Sequence, residues 1–279
     1  MTTRSGNSPA VSRPPTAHRN AGEPRAKAVT HFEAECGNSG GNKVRIIGSA
    51  IAIFVVAMAV APVWANEGKL VHVVRFTDYE LGSVEDWLQG KGFQFKQDAQ
   101  RRNRIDLDVG EKGLVLEAKR RAFGIMPNES VNVPEFTYVE IDWGVIKFPE
   151  GASYEQGVRN EALMVFIFMG DERQPSGSFF IPDSPYFVAL FLCHGDDKMN
   201  HPYVGSYFKK SGRFVCGDRP AEGQLVTARF DLLEAYRVYF DKERDDDPAV
   251  SGLALAIDTK KAEGGGKASA FISEIRFYR

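Results

Sequence analysis

From Leu70 to the C-terminus the apolar residues come in short runs, and this grain constrains the fold more than any other feature. Leu70–Phe76, Gly92–Lys96, Ile105–Val109, Leu114–Ala118, Thr137–Phe148, Ala162–Met169, Tyr186–Cys193, Tyr207–Cys216, Gln224–Phe230, Gly252–Asp258 and Ser269–Tyr278 are rich in β-forming residues. Glycines or charged turns such as Gly110-Glu111-Lys112-Gly113 separate them. Runs of this kind read as strands, about eleven in all. Glu140 and Asp142 alternate with Val139, Ile141 and Trp143, the pattern of a half-buried strand, whereas Leu163–Phe168 is apolar at every position and belongs in the centre of a sheet. One segment breaks the rhythm. Leu232, Leu233, Ala235, Tyr236, Tyr239 and Phe240 recur at helical spacing behind Asp231, a ready N-cap. The expectation is an all-β, two-sheet antiparallel sandwich with one short helix at about 231–240. No period of 20–50 residues recurs, which removes solenoids and propellers.

Ahead of this region the composition changes abruptly. Ile46–Ala65 is a stretch of 20 residues without charge, preceded by Lys43 and Arg45. Pro62 breaks it just before Val63-Trp64-Ala65, a small-x-small site. These are the parts of a secretory signal cleaved after Ala65. The competing reading is an uncleaved anchor, since about 20 apolar residues can span a bilayer. Residues 1–43, rich in Ser, Pro, Gly, Asn and Arg, read as a disordered leader or a mis-assigned extension. A chain initiated at Val44 would carry a signal of ordinary size over 44–65. The expected folded unit is therefore 66–279, and the expected location is periplasmic or secreted. Residues 1–65 hold 7 Lys+Arg and 3 Asp+Glu, which leaves 28 and 34 in the remainder, a net charge of -6. That acidic balance argues against a nucleic-acid partner.

Export also bears on the cysteines. Cys36 leaves with the leader, and the pair that remains, Cys193 and Cys216, is expected to form one disulfide between adjacent antiparallel strands, with two buried free thiols as the alternative. Only His72, His194 and His201 remain as imidazoles. No phosphate loop, dinucleotide fingerprint, nucleophile elbow or His-Glu-x-x-His motif is present. The segment Cys193–His201 gathers sulfur, imidazole and carboxylate, but its spacing matches no standard metal site and it reads more simply as a solvated loop.

Glu140 and Asp142 share one strand face, about 7 Å apart at ~3.3 Å per residue. A retaining glycosidase needs two carboxyls about 5–5.5 Å apart. The pair resembles the Glu-x-Asp-x-Glu strand of laminarinase-like jelly-roll hydrolases, except that Gly144 stands where the third carboxylate belongs. Its plainer reading is the solvent face of a sheet. Trp143, Tyr138, Tyr186, Tyr203, Tyr207 and Tyr236 would stack on sugar rings if several shared an exposed face, and would otherwise be core.

In order along the chain come Phe76-Thr77-Asp78-Tyr79-Glu80, Trp87, Leu114-Val115-Leu116-Glu117-Ala118, Val139–Val145, Leu232–Phe240, Val250–Thr259 and Ala268–Arg279. This succession resembles an uncharacterised family of exported bacterial proteins and, more distantly, the galactose-binding-like jelly rolls that serve as carbohydrate-binding modules. The resemblance implies a two-sheet jelly roll whose ligand, if any, lies on a concave sheet face or loop edge, and it implies no catalysis. It also implies that Asp78 and Asp258 could hold a structural Ca²⁺, with no other cofactor. Lys260 and Lys261 stand where the family has an acidic residue, which weakens a cation site at that turn.

The sequence thus leads to an exported, non-catalytic jelly roll that binds a glycan or another envelope component, through Trp143, Tyr138 and Asp258. The alternatives are a glycoside-active enzyme using Glu140 and Asp142, and an envelope assembly subunit without a small ligand. The expected partner is a polysaccharide or an envelope protein, not nucleic acid, and a membrane only if Ile46–Ala65 is retained.

Overall fold

A computed structural model describes residues 68–243 and 246–279. The expected leader and export segment, residues 1–65, lie outside the described residues. In chain order the elements are β1 (Leu70–Arg75), α1 (Val84–Gly90), β2 (Lys96–Gln97), a 3-10 turn (Asp98–Gln100), β3 (Ile105–Gly110), β4 (Gly113–Ala118), β5 (Phe123–Asn128), β6 (Tyr138–Lys147), β7 (Glu161–Gln174), β8 (Ser184–Leu192), β9 (Pro202–Tyr203), β10 (Gly212–Asp218), β11 (Val226–Phe230), α2 (Leu232–Phe240), β12 (Val250–Asp258) and β13 (Ala268–Tyr278).

The strands form two sheets. The first runs β11-β6-β13-β4-β3, with β1 also paired to β13; the second runs β2-β5-β12-β7-β8-β10-β9. β4 pairs the first half of β13 and β1 its second half. Period-two alternation sorts each strand between the core and the outside. From the first sheet Val139, Ile141, Trp143, Val145, Ile272, Ile275 and Phe277 point inward, and Leu163, Val165, Ile167, Val188, Leu190, Leu253 and Leu255 meet them from the second. The expected sandwich is therefore present. At Gly144, an added Cβ would lie 2.2 Å from the Gln224 carbonyl oxygen and 2.3 Å from the Phe271 ring. Glycine is required where these groups cross β6, and no third carboxylate fits there.

β5 and β9 lie outside the expected strands, and four further details differ from the sequence reading, each for a local reason. There is a second helix, α1, capped by Ser83 Oγ accepting from the Asp86 N–H; at seven residues it is too short to show a period. The stretch expected as a strand from Gly92 instead closes that helix, with Gly92 N–H donating to Gln89 and Phe93 N–H to Leu88, so only Lys96–Gln97 pairs. Tyr207–Ser211 is a turn in which Ser211 and Gly212 both donate to the Phe208 carbonyl, and β10 begins after it. Finally, β8 and β10 pair in parallel, because the chain crosses over between them and returns in the same direction. Every other strand pair in the two sheets is antiparallel.

The Cys193–Cys216 disulfide is formed, across this parallel pair and with Cα atoms 5.4 Å apart. It ties the start of the crossover to β10. Such a bond persists in oxidising compartments and fits an extracellular or secreted protein. Helix α2 forms as expected, with Asp231 accepting from the Glu234 N–H and with Leu232, Ala235, Tyr236 and Phe240 buried. Among the described residues no helix is long and apolar enough to cross a membrane.

Candidate functional site

The residues expected to bind ligand are divided between the two sheets. Trp143 projects into the core from β6 and is wholly buried, and its indole N–H meets no acceptor among the described residues. Burial therefore removes it as a stacking platform. Tyr138 lies on the outer side of β6 but is only 5% exposed. Tyr278 of β13 stacks on it at 4.7 Å, and the Arg229 guanidinium of β11 sits 3.6 Å from the ring centroid. Neither ring is free for a sugar.

Glu140 and Asp142 share this outer face, opposite Arg276 and Glu274 in the β6–β13 register. Arg276 grips Asp142 through both terminal nitrogens (2.5 and 2.9 Å) and reaches Glu140 at 3.3 Å, while the Thr227 hydroxyl donates to Asp142 at 2.7 Å. Burial pushes the Asp142 carboxyl up, but the hydrogen bonds from Arg276 and Thr227 and the Arg276 charge outweigh it and hold the group below its usual range. An acid held ionised in this way cannot donate a proton to a leaving group. The pair is a satisfied ion network on a sheet face.

The outer face of the second sheet is different. Pairing lines its side chains up in rows across five strands. Pro127, Ala254, Phe166, Ala189 and Phe214 make one row, and Ile125, Ala256, Met164, Phe191 and Cys216 the next. In the first row alanines alternate with larger residues, which leaves room for the rings of Phe166 and Phe214. This face has its own apolar cluster, in which Tyr154, Phe166, Phe187 and Phe191 are buried and Ile125, Phe168, Phe208 and Phe214 are partly open to solvent. A solvated outer face normally alternates to polar residues. This one does not, and among the described residues no helix covers it.

The rows end in carboxylates. A register shift places Asp258, the last residue of β12, directly opposite Glu161, the first of β7. Directly opposed residues have Cβ atoms about 4.5–5.5 Å apart. Glu161 is 4% exposed, and among the described residues no hydrogen bond reaches its carboxyl. Burial pushes this group well above the carboxylate range, and the Asp197 and Asp258 charges add to the effect. Burial also raises Asp258, against the Lys260 N–H, which donates to its Oδ1 at 3.0 Å, and the charges of Lys260 and Lys261. Tyr154 stacks on Phe191 at 4.2 Å, and its hydroxyl is pushed far above the usual phenol range by burial and by Glu161 and Asp258. Asp197 holds the Tyr154 loop down by accepting from the Tyr154 N–H at 2.6 Å, and Asp196 accepts from the Ser153 hydroxyl at 2.8 Å.

Asp78 and Asp258 do not come together. Asp78 pairs with Lys91 at 2.7 Å, and the Lys91 carbonyl accepts from Asn128 at the far end of β5. Asp258 faces Phe123 at the near end of β5, five residues or about 16 Å along the strand. Among the described residues no three His, Cys, Asp or Glu side chains converge as metal ligands. The two clefts of note are shallow and lie elsewhere. One, about 400 Å³, is lined by Ser83, Glu85, Gln89, Phe95 and Arg102, and the other, about 420 Å³, by Glu234, Arg237, Val238 and Lys242. Neither carries a convergent reactive set.

No family model matches the sequence, and no curated protein does. Among solved structures the chain is similar to a carbohydrate-binding module specific for non-crystalline cellulose, at 11% identity over 76% of this chain and 94% of that one, with a TM-score of 0.29. It is similar to Trichoderma harzianum endoglucanase 3 from family GH12, at 8% identity over 71% and 100% of the two chains and a TM-score of 0.32. It is also similar to winged bean acidic lectin complexed with methyl-alpha-D-galactose, at 12% identity over 74% and 98% and a TM-score of 0.33.

Asp258 is the one expected binding residue that sits in an unusual environment. Glu161 and Tyr154 went unnoticed in the sequence. Glu161 stands alone ahead of an apolar run, and its partner is distant in the chain and becomes adjacent only through strand order.

Proposed function

We propose that this protein is an exported β-sandwich that binds a polysaccharide on the outer face of its seven-stranded sheet, at the end where Asp258 and Glu161 meet. The observation that carries the reading is that face itself: aromatic rows, left partly open, ending in carboxyl groups. Pyranose rings present apolar C–H faces and a rim of hydroxyls. Aromatic side chains suit the first, and carboxyl oxygens and buried polar groups the second. The disulfide and the uncharged run Ile46–Ala65 support a periplasmic or secreted location.

The test is retention of the full chain on insoluble cell-wall polysaccharides and in polysaccharide-loaded native gels. Phe168→Ala and Phe214→Ala remove half-open rings and should each weaken retention about 2- to 10-fold, the scale of one aromatic contact. Tyr138→Phe, on the other sheet, should leave it unchanged. Wild-type protein that binds none of the polysaccharides would refute the reading.

One observation favours a second reading, hydrolysis of the bound glycan: an acid that burial pushes well above the usual carboxylate range, Glu161, stands directly across from a second carboxyl, Asp258. Release of reducing ends that disappears in Glu161→Gln would support it, and absence of release from every bound glycan would end it.

A further inference from the structure

Three loops meet beyond Asp258. Thr259 N–H donates to the Ala122 carbonyl at 2.8 Å and Ala122 N–H to Thr259 Oγ1 at 3.1 Å. Arg121 Nε donates to the Ala262 carbonyl at 3.0 Å, and Lys261 N–H donates to Asn160 Oδ1 at 2.9 Å. These bonds fasten the β4–β5, β6–β7 and β12–β13 loops into one cluster. It carries Arg120, Arg159, Lys260 and Lys261, and none of these four cations has an ion pair or a side-chain hydrogen bond among the described residues. Lys260 Nζ rests 5.1 Å from the Phe123 ring centroid, at the edge of the aromatic face. Lys119, one residue away from Arg120, is by contrast already paired with Asp106 at 2.6 Å. Besides Asp258 and Glu161, the acids here are Glu150 and Glu263, both exposed, Glu155, which is bound to Lys198 and Tyr203, Asp98, which accepts from the Phe123 N–H, and Asp197, which accepts from the Tyr154 N–H. Lys260 and Lys261 act on Asp258 through their charge alone, and four cations without a direct carboxylate contact are unexpected where residues 66–279 carry an excess of acids.

A second observation points the same way. The Nε of Arg159 and the Nδ2 of Asn160 are both fully buried without a hydrogen-bond acceptor among the described residues. Asn160 is 1% exposed, and its other amide atom is spent on Lys261. Buried donors are nearly always satisfied, so adjacent orphans call for an explanation. The Arg159 side chain itself is only partly buried, and a guanidinium is a planar donor that suits a carboxylate.

From this geometry we infer that the polysaccharide is anionic: Arg159, Arg120, Lys260 and Lys261 receive the carboxylates of a uronate-bearing chain whose sugar faces lie on the neighbouring aromatic rows. The inference rests on the polysaccharide-binding reading above and specifies its ligand.

The experiment compares binding of the full chain to polygalacturonate and alginate, to neutral hydroxyethylcellulose, and to vesicles rich in phosphatidylglycerol, at low and high salt. Polyuronate should bind best and weaken with salt. Lys260→Gln/Lys261→Gln should weaken it about 5- to 10-fold with the fold retained, read as an unchanged circular dichroism spectrum, since both side chains are exposed. Arg159→Gln should weaken it more than about 10-fold. Equal binding to the neutral polymer, or indifference to the lysine variant, would overturn the anionic assignment and leave glycan binding standing. Binding to vesicles in preference to polyuronate would overturn it in favour of a lipid surface. Binding to no polysaccharide would remove both readings.

Discussion

Replacing Glu161 by Gln should stabilise the protein, and increasingly so as the pH rises. The carboxyl is buried, lacks a hydrogen bond among the described residues and faces Asp258 and Asp197, so its folded-state pKa lies well above the unfolded value. A raised carboxyl binds its proton more tightly in the folded protein. Its favourable neutral state is fully available below the unfolded pKa of about 4.3 and is lost as the pH climbs to the folded pKa. In that window each pH unit costs the wild type about 1.4 kcal/mol, and Gln, which mimics the protonated acid, is spared. For a domain of this size, 1 kcal/mol moves the melting temperature by roughly 2–4 °C. The two proteins should melt together near pH 4 and separate by about 3–5 °C per pH unit above it, until the folded pKa is passed. Differential scanning calorimetry of full-length wild type and variant between pH 4 and 8 makes the comparison. Groups that the substitution does not touch cancel in the difference. A gap that stays constant with pH, or a wild type that gains on the variant at high pH, would refute a neutral Glu161.

Other perturbations have signs fixed by the same coordinates. Cys193→Ser/Cys216→Ser opens a bridge between residues 23 positions apart and should cost about 3 kcal/mol on the chain-entropy model, read as a lower denaturation midpoint that reductant does not change. Gly144→Ala should cost about 1–3 kcal/mol, because its methyl group meets the Gln224 carbonyl and the Phe271 ring, and circular dichroism melts would show it. Trp143→Ala should cost about 3–5 kcal/mol through the cavity it leaves, while any protein that still folds should bind polysaccharide as before. Asp142 is stabilised in its ionised form, so its contribution is present above an unfolded pKa of about 3.9 and is lost on acidification. Arg276→Gln should remove that contribution and reduce the stability lost between pH 5 and 2, measured by acid titration of tryptophan fluorescence.

The sandwich was legible because strands announce themselves by alternation, and the inner set Val139, Ile141, Trp143 and Val145 follows from it directly. The same alternation already places Trp143 inside, opposite to the role of a sugar platform. Alternation does not encode strand direction, so the parallel pairing of β8 with β10 was hidden. It also fails where special residues interrupt it. β5 carries Gly124, over which Ala99 and Ile105 pack closely, and Pro127, whose missing N–H faces an edge beyond the end of β2. Both residues mask a strand that is fully paired to β12. The site was the least legible part. Asp258 and Glu161 become neighbours only through the β12–β7 register, and the orphaned donors of Arg159 and Asn160 exist only once three loops have met.

Hydrogen–deuterium exchange of the full chain, with and without the polysaccharide that retains it best, would locate the ligand. Protection should appear in Phe123–Asn128, Glu161–Phe168 and Ala254–Lys261 and be absent from Tyr138–Asp142 and Glu274–Tyr278. Protection confined to the latter two segments, or none in any segment at saturating ligand, would contradict binding on the outer face of the seven-stranded sheet.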